Sequence, residues 1–306
     1  TCHFQGSGFT DALGIVGRGD YLSDTLVLGG VTMKDMYFGY TSSYSFPEHI
    51  RGNVNTILGM SLECGSVGTT CAGKGPYFLP QLKNASIINR MSSSFYFGPD
   101  DAVVPNAQMI LGGAYDKAKV DGKLFTVNMV DPYSGLGNGQ TNSVNMTALK
   151  VVVMNKPPVS QTFGQKDVGV PALIDSGVAR WYLPQTIFDA VFHALGGTKV
   201  SGPGIGYQVV DCMYRDPGHA NGYIETEFGK AGTIQVPLHT LVTKFADGTC
   251  GTFIDPSSDS AGLLGDPFLR GTYIIYDQEN WTVTMGQVKH TNSTDIVAFP
   301  EGGFKA

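Results

Sequence analysis

One acidic residue lies in a sequence context that suits catalysis. Asp175 follows the apolar run at 172–174 and precedes Ser176 and Gly177. Because a short apolar run bounded by turn residues is typical of a buried strand, we expect the carboxylate where a strand meets a sharp turn. The serine hydroxyl can hold such a turn by hydrogen bonding, and the glycine lets another stretch of backbone come close. A carboxylate in that place is suited to general acid–base chemistry.

A single carboxylate cannot both activate water and protonate a substrate carbonyl. Two facing carboxylates that share one proton can, because like charges at close range drive their pKa values apart. The sequence also contains a short internal repeat: Thr56-Ile57-Leu58-Gly59 resembles Gly262-Leu263-Leu264-Gly265, and Asp175 stands 90 positions before Gly265. The equivalent acid of the first half would precede Thr1. We therefore expect a second Asp-Ser-Gly or Asp-Thr-Gly on an N-terminal segment outside this sequence.

The elements that must position Asp175 are predicted to be strands. The 306 residues include 41 glycines, and short β-rich runs at 26–28, 107–111, 151–153, 273–276 and 282–284 are bounded by turn residues. This spacing predicts an all-β fold with a few short helices. One helix is expected from Pro184 to Leu195, where apolar residues recur on one face, and a second from Tyr77 to Lys83.

The five cysteines favour disulfides over a metal site. None belongs to a CxxC pair or lies at zinc-like spacing from histidine, so no metal is expected. Cys64 and Cys71 could close a short loop, and Cys212 and Cys250 could join the ends of a longer one. Cys2 is then left over, which suggests a partner on another chain. Four glycosylation sequons fit an extracellular protein: Asn84, Asn145, Asn280 and Asn292.

Charge and hydropathy exclude two classes of partner. The net charge is −6 with lysine and arginine scattered, so no basic stripe indicates nucleic-acid binding. No apolar run approaches the roughly 18 residues that a membrane span requires. The first residue is Thr and not Met, and we expect that a processing or cloning event precedes it.

Several strings, in one order and at one spacing, resemble the pepsin-like aspartic protease family across nearly the whole chain. The residues from Ala172 to Gly177, followed by Tyr182-Leu183-Pro184, resemble the second catalytic loop of the family. The string from Leu263 to Arg270 resembles the segment that packs against that loop. Other matching strings are Ser23 to Leu26, Gly29-Gly30, Phe38-Gly39, Ile110 to Gly113 with Asp116, Tyr273 to Asp277 and Trp281 to Gly286.

The resemblance implies a bilobal fold, with residues 1–119 as the remainder of the N-terminal lobe and 120–306 as the C-terminal lobe. It implies a secreted endopeptidase, made as a zymogen, that needs no cofactor; a cell-surface or vacuolar location is also compatible. Asp175 would be one catalytic acid, and Ser176 and Gly177 would contact a peptide or protein substrate. Cys212 and Cys250 match the disulfide usual in the second lobe.

The chain departs from the family pattern in two places. Ala179 stands where relatives carry a Ser or Thr that bonds to the catalytic aspartate. The tyrosine expected in the flap is missing, and Phe9 is its best substitute on spacing, with Phe4 and His3 as rivals. An aromatic residue without the hydroxyl would remove one hydrogen bond from the catalytic network.

The expected partner is an N-terminal light chain that carries the other catalytic Asp, held through Cys2. Some yapsin-like fungal enzymes are cut in this region, and a truncation is the other explanation. Two functional alternatives stay open: a catalytically inactive pepsin-fold binding or inhibitor protein, and a cleft repurposed for chemistry on a small molecule.

Overall fold

The computed structural model describes most of the chain. The described residues are 2–3, 9–10, 16–45, 57–64, 77–100, 106–131, 139–140, 142–154, 156–162, 169–202, 205–216, 221–257 and 261–306. They fall into two compact units, the first drawn from positions 1–60 and 75–85 and the second from positions 61–74 and 86–306. The predicted lobe boundary at 119/120 stays a prediction.

The first unit is built on a long antiparallel hairpin. Its elements are β1 (Cys2–His3), β2 (Phe9–Thr10), β3 (Val16–Leu28), β4 (Val31–Ser45) and α1 (Phe78–Asn84). β3 pairs with β4 and also with the short strands β1 and β2. Gly29 and Gly30 form the turn with φ of 58° and 79°, the conformation that a tight hairpin requires and glycine adopts freely. The predicted turn is therefore confirmed.

A glutamine fastens the helix of this unit to the hairpin. The Tyr37 amide donates to Oε1 of Gln81 (2.7 Å), and Nε2 of Gln81 donates to the Tyr37 carbonyl (3.0 Å). The side-chain amide thus takes the place of a neighbouring strand at one point along β4. Phe78, Leu79 and Leu82 form the buried face of α1, which confirms the helix predicted from Tyr77 to Lys83.

The second unit contains the remaining elements. Its helices are α2 (Gln185–Ala194) and α3 (Asp266–Arg270), with 3₁₀ turns at Lys117–Lys119, Cys212–Arg215 and Leu238–Leu241. Its strands are β5 (Glu63–Cys64), β6 (Ser92–Tyr96), β7 (Gln108–Leu111), β8 (Ala114–Asp116), β9 (Val120–Asn128), β10 (Gly139–Gln140), β11 (Ser143–Met146), β12 (Ala148–Val153), β13 (Val159–Thr162), β14 (Val170–Ile174), β15 (Trp181–Pro184), β16 (Thr198–Gly202), β17 (Ile205–Val209), β18 (Gly222–Phe228), β19 (Gly232–Pro237), β20 (Val242–Lys244), β21 (Cys250–Thr252), β22 (Ile254–Ser257), β23 (Gly262–Leu264), β24 (Thr272–Asp277), β25 (Thr282–Val288) and β26 (Ile296–Ala298).

These strands form several small sheets. Two have five strands, in the orders β11-β14-β23-β15-β22 and β7-β6-β24-β25-β9. Two have four, in the orders β13-β12-β18-β19 and β16-β17-β21-β20, and the pairs β10-β5 and β26-β8 complete the set. The sheet of β7, β6, β24, β25 and β9 takes strands from both sides of position 119, so hydrogen bonds link the two predicted lobes along the backbone.

The core of the second unit lies between these sheets and α2. Trp181, Phe188 and Phe268 are fully buried, and the rings of Trp181 and Phe268 meet edge to face at 5.9 Å. α2 buries its apolar residues at helical spacing (Ile187, Phe188, Val191 and Phe192) and ends before Gly196, whose φ is 68°. The helix predicted from Pro184 to Leu195 is therefore confirmed, and so is the mostly β character of the chain.

One predicted disulfide is formed. Cys212 and Cys250 are joined, with 5.1 Å between their Cα atoms. Cys71 lies outside the described residues, and so does any bond it makes with Cys64. No helix of the described residues is long and apolar enough to cross a membrane.

Candidate active site

The candidate catalytic acid stands at the end of a central strand. β14 is flanked by β11 and β23 in the five-stranded sheet, and Asp175 is the residue that follows it. The Ile174 amide donates to the Asn142 carbonyl (3.0 Å), and the Asp175 amide donates to the Leu264 carbonyl (3.0 Å). Both neighbours thus hold the backbone up to the acid itself, which fixes where its side chain begins.

The loop after Asp175 folds back onto the carboxylate. The Gly177 amide donates to Oδ1 of Asp175 at 2.8 Å, and the Val178 amide donates to the Asp175 carbonyl at 3.4 Å. Ser176 and Gly177 are exposed, whereas Asp175 is half-buried. A backbone N–H aimed at one carboxylate oxygen orients the group and leaves the other oxygen for a ligand.

β23 touches both flanks of this loop. It runs parallel to β14 with Leu173 opposite Leu263, and antiparallel to β15 with Tyr182 opposite Leu263. Directly after β23, Gly265 is so close to the loop that a Cβ there would lie 2.1 Å from the Val178 carbonyl oxygen. The Asp266 amide donates to that same carbonyl at 2.8 Å. The loop is therefore fixed at its start, its middle and its end.

Tyr276 contacts the backbone of the residue before Asp175. The Tyr276 hydroxyl donates to the Ile174 carbonyl at 3.3 Å, and its ring meets Phe95 edge to face at 5.8 Å. Burial raises the pKa of Tyr276 far above its ordinary value, and the negative charge of Asp175 raises it further. The phenol therefore stays protonated and keeps its hydrogen to donate.

The other predicted site residues are distributed over both units. Phe9 lies on β2 opposite Gly17 of β3, in the first unit, and its role as the flap residue stays a prediction. Ala179 is exposed on the loop after Asp175. His3 lies on β1, and Phe4 lies outside the described residues. Asp266 begins α3, and its backbone amide contacts the loop.

The four sequons differ in their surroundings. Asn84 and Asn292 are exposed, and Asn145 is half-buried on β11. The side-chain nitrogen of Asn280 donates to Oδ2 of Asp277 (3.2 Å), to the Gly302 carbonyl (2.7 Å) and to the Phe304 carbonyl (3.0 Å). This asparagine therefore fastens the C-terminal segment to the turn between β24 and β25.

Sequence reasoning missed the residues that act on the loop from a distance. These are Asn142 and Tyr276, which contact the backbone of Ile174 just before the loop. No local motif marks them. The closing string from Tyr273 to Asp277 drew attention to the segment that carries Tyr276, but only as a strand.

Comparison with known proteins decides the family. The family model for eukaryotic aspartyl proteases matches residues 12–288. The chain belongs to this family. Aspartic proteinase from Irpex lacteus has a similar fold, with a TM-score of 0.69 at 15% identity over 94% of this chain and 82% of that one. The predicted pepsin-like fold is thereby confirmed.

Curated relatives of this aspartyl protease chain are fungal. "Secreted aspartic protease 9" of Candida albicans is 31% identical over 96% of the chain and 50% of its own length. "Aspartic proteinase 3" of Saccharomyces cerevisiae is 28% identical over 93% of the chain and 48% of its own length. "Probable aspartic-type endopeptidase opsB" of Aspergillus oryzae is 29% identical over 91% and 55%. The chain spans about half the length of the curated relatives it matches.

Proposed function

We propose that this chain is the larger part of a secreted aspartic endopeptidase in which Asp175 is one of two catalytic carboxylates. The observation that carries the proposal is the arrangement around Asp175. Its backbone is held by Leu264, its carboxylate accepts the Gly177 amide at 2.8 Å, and its loop is exposed. A fixed carboxylate open to solvent is what the activation of a water molecule requires.

The mechanism assigned to this site is general acid–base catalysis. One carboxylate of a pair takes a proton from water while the other, protonated, donates to the carbonyl oxygen of the peptide bond. Asp175 supplies one of these groups through the oxygen that Gly177 leaves free. Ser176 and Gly177, both exposed beside it, are placed to contact the extended substrate backbone. This chemistry proceeds through a tetrahedral intermediate and needs no cofactor.

The second carboxylate belongs to a partner segment. The sequence contains one Asp-Ser-Gly and no Asp-Thr-Gly, so the other acid must come from outside it. The surface of the first unit supports such a partner. Most exposed large hydrophobic side chains of the described residues lie in its stretch from 22 to 58, and this group comprises Leu22, Val27, Val31, Tyr37, Phe38, Tyr40, Ile57 and Leu58.

Exposed apolar side chains in this number are typical of a protein part that another segment covers. We assign it to the light chain that carries the second acid, with Cys2 as its covalent link. Phe9 would serve as the flap residue over the substrate. The name of the Candida relative cited above, which includes the word secreted, supports an extracellular location, as do the sequons and the disulfide.

The alternative is an inactive binding or inhibitor protein with the same fold. Ala179, which lacks the expected hydroxyl, is the feature that favours it. The intact Asp175 loop favours the enzyme.

The test is a peptidase assay at acid pH on the natural, unreduced protein, with and without pepstatin, beside Asp175→Asn and intact mass before and after reduction. We expect cleavage that pepstatin and Asp175→Asn both abolish, and release of a small chain on reduction. Cleavage that survives in Asp175→Asn would overturn the assignment of the acid. A protein without cleavage that still binds a protein partner would support the inhibitor.

A further inference from the structure

We propose that Arg180 is a positioning residue, which holds the catalytic loop by tying its far end to β21 and β22. This inference rests on the proposed endopeptidase function. The loop runs from Asp175 to Arg180, and its last residues before Arg180 are Val178 and Ala179, which carry no hydroxyl. A hydroxyl in this part of the loop could bond the carboxylate directly. Without one, this part of the loop is held by backbone hydrogen bonds and by the Arg180 side chain.

Arg180 makes a charged, directional attachment. Its Nε donates to Oδ2 of Asp255, its Nη2 donates to the Thr252 carbonyl at 3.1 Å, and its guanidinium lies over the ring of Phe253 at 5.9 Å from the centroid. The planar guanidinium thus contacts three residues, Thr252 at the end of β21, Phe253 after it, and Asp255 on β22. Lysine, with a single ammonium group, cannot reproduce this set of contacts.

The anchor on the other side is rigid. Thr252 is buried, and its hydroxyl donates to the Leu241 carbonyl (3.2 Å) and accepts from the Ile254 amide (3.1 Å). β21 begins at Cys250, which is joined to Cys212. An attachment to this strand therefore transmits little motion to the loop.

The Arg180 contacts lie at the end of the loop that begins with Asp175, where they can affect the orientation of its carboxylate. The loop starts at Asp175, whose amide is bound by Leu264, and ends at Trp181, whose amide donates to the Phe253 carbonyl at 2.8 Å. Arg180 is the last residue between these two points. Its side chain limits the freedom of the loop residues, including Gly177, whose amide holds the carboxylate. Loss of the guanidinium should loosen that amide without unfolding the sheet.

Hydrogen exchange on the full, natural protein tests this directly. Arg180→Leu removes the charge but keeps an apolar stem, and Arg180→Lys keeps the charge without the planar group. The matched control is Arg215→Leu, because Arg215 also forms an ion pair in the second unit, with Asp100 at 2.5 Å. We expect amide exchange in the peptide from 175 to 180 to rise about tenfold in Arg180→Leu, less in Arg180→Lys, and not at all in Arg215→Leu.

Kinetics provide the second readout. We expect kcat to fall about tenfold in Arg180→Leu with KM within about twofold, and Arg180→Lys to recover part of kcat. Unchanged exchange in the loop of Arg180→Leu, or equal changes in Arg180→Leu and Arg215→Leu, would overturn the proposal. If Arg180→Leu does not fold, Asp255→Asn and Arg180→Lys decide it by the same exchange measurement. A wild-type protein that cleaves nothing refutes the endopeptidase, whereas the exchange result still decides the role of Arg180.

Discussion

The Tyr276 hydroxyl and the Ile174 carbonyl are joined by a hydrogen bond of 3.3 Å, one residue before the candidate catalytic acid. The bond connects β24, which belongs to one five-stranded sheet, with β14 of the other. Because Tyr276 is buried and stays protonated, this contact persists over the whole pH range in which the protein is folded. The Tyr276 hydroxyl holds the end of β14 at Ile174, and the backbone contacts of the loop hold the residues that follow.

Tyr276→Phe should remove this hydrogen bond and no other interaction of similar strength. We expect the free energy of unfolding to fall by about 1 kcal/mol, because a buried carbonyl loses its donor. Denaturant unfolding measures the change. Tyr37→Phe is the control, since its side chain is 53% exposed, and it should change stability by less than about 0.5 kcal/mol. Equal effects of the two substitutions would show that the hydrogen bond contributes nothing particular.

Gly265→Ala should disrupt the catalytic loop. A Cβ at this position would lie 2.1 Å from the Val178 carbonyl oxygen and 2.3 Å from that of Arg180, and both are backbone atoms that cannot turn away. We expect loss of cleavage with a loss of stability of about 2 kcal/mol or more. Gly262→Ala, three residues earlier, is the matched control, because the nearest atom to its Cβ would be the Met146 methyl group at 3.2 Å, the movable end of a side chain. An active Gly265→Ala protein would contradict the close approach.

Two aspartates should give opposite contributions to stability as pH changes. Burial raises the pKa of Asp266 more than Arg270 lowers it, so its contribution is fully present in acid and is lost as pH rises through the raised pKa. The Thr249 hydroxyl and amide lower the pKa of Asp247. Its contribution is therefore present above the ordinary aspartate pKa and is lost as pH falls.

The measurement compares each asparagine variant with the wild type by thermal unfolding at about pH 3 and pH 6. Relative to the wild type, Asp266→Asn should gain stability between the lower and the higher pH, and Asp247→Asn should lose it. The same sign for both variants would refute this assignment.

The ion pair of Arg90 with Asp277 should dominate the stability of the turn between β24 and β25. Nε and Nη2 of Arg90 donate to the two carboxylate oxygens at 2.9 and 2.7 Å, and the Asp277 side chain is only 1% exposed. Arg90→Ala should cost about 3 kcal/mol, because it leaves a buried carboxylate without its cation. Lys150→Ala, which breaks the more exposed pair with Glu225, should cost less than about 1 kcal/mol in the same denaturant titration.

Glycan occupancy should differ among the sequons. Asn84 and Asn292 are exposed and can carry a glycan into solvent, whereas the side-chain nitrogen of Asn280 is occupied by three hydrogen bonds that a glycan would displace. We expect glycopeptide mass spectrometry of the secreted protein to find glycans at Asn84 and Asn292 and none at Asn280. A fully glycosylated Asn280 in folded, active protein would contradict this arrangement.

Local sequence patterns predicted the individual helices and turns of this fold better than they predicted which strands pair with one another. The apolar spacing in α2 and the glycine pair at 29–30 gave a helix and a turn, because both depend on residues close in sequence. The order β11-β14-β23-β15-β22 could not be predicted in this way. It pairs residues 172–174 with 262–264, and alternation along a strand indicates which face is buried but not which strand lies beside it.

The internal repeat predicted local structure less well than the Asp-Ser-Gly string at Asp175 did. Gly262–Leu264 forms a strand, whereas residues 57–59 of the similar string have no regular secondary structure. Asp175 was found because its local string carries the turn. Tyr276 and Arg180 were not, because their contribution is defined by carbonyl groups and a carboxylate that only the folded chain brings to them.

The position of β23 between β14 and β15 also indicates where the chain can accept an inserted peptide. The strands of the sheet that carries the loop after Asp175 lie at 143–146, 170–174, 181–184, 254–257 and 262–264. The strands between 185 and 253 belong to other sheets, and this stretch contacts the end of the loop where it returns, at Thr252 and Phe253. A peptide inserted at the exposed turn of Lys230 and Ala231, between β18 and β19, would therefore leave the geometry at Asp175 intact, so the scaffold can accept new surface loops while its chemistry stays the same.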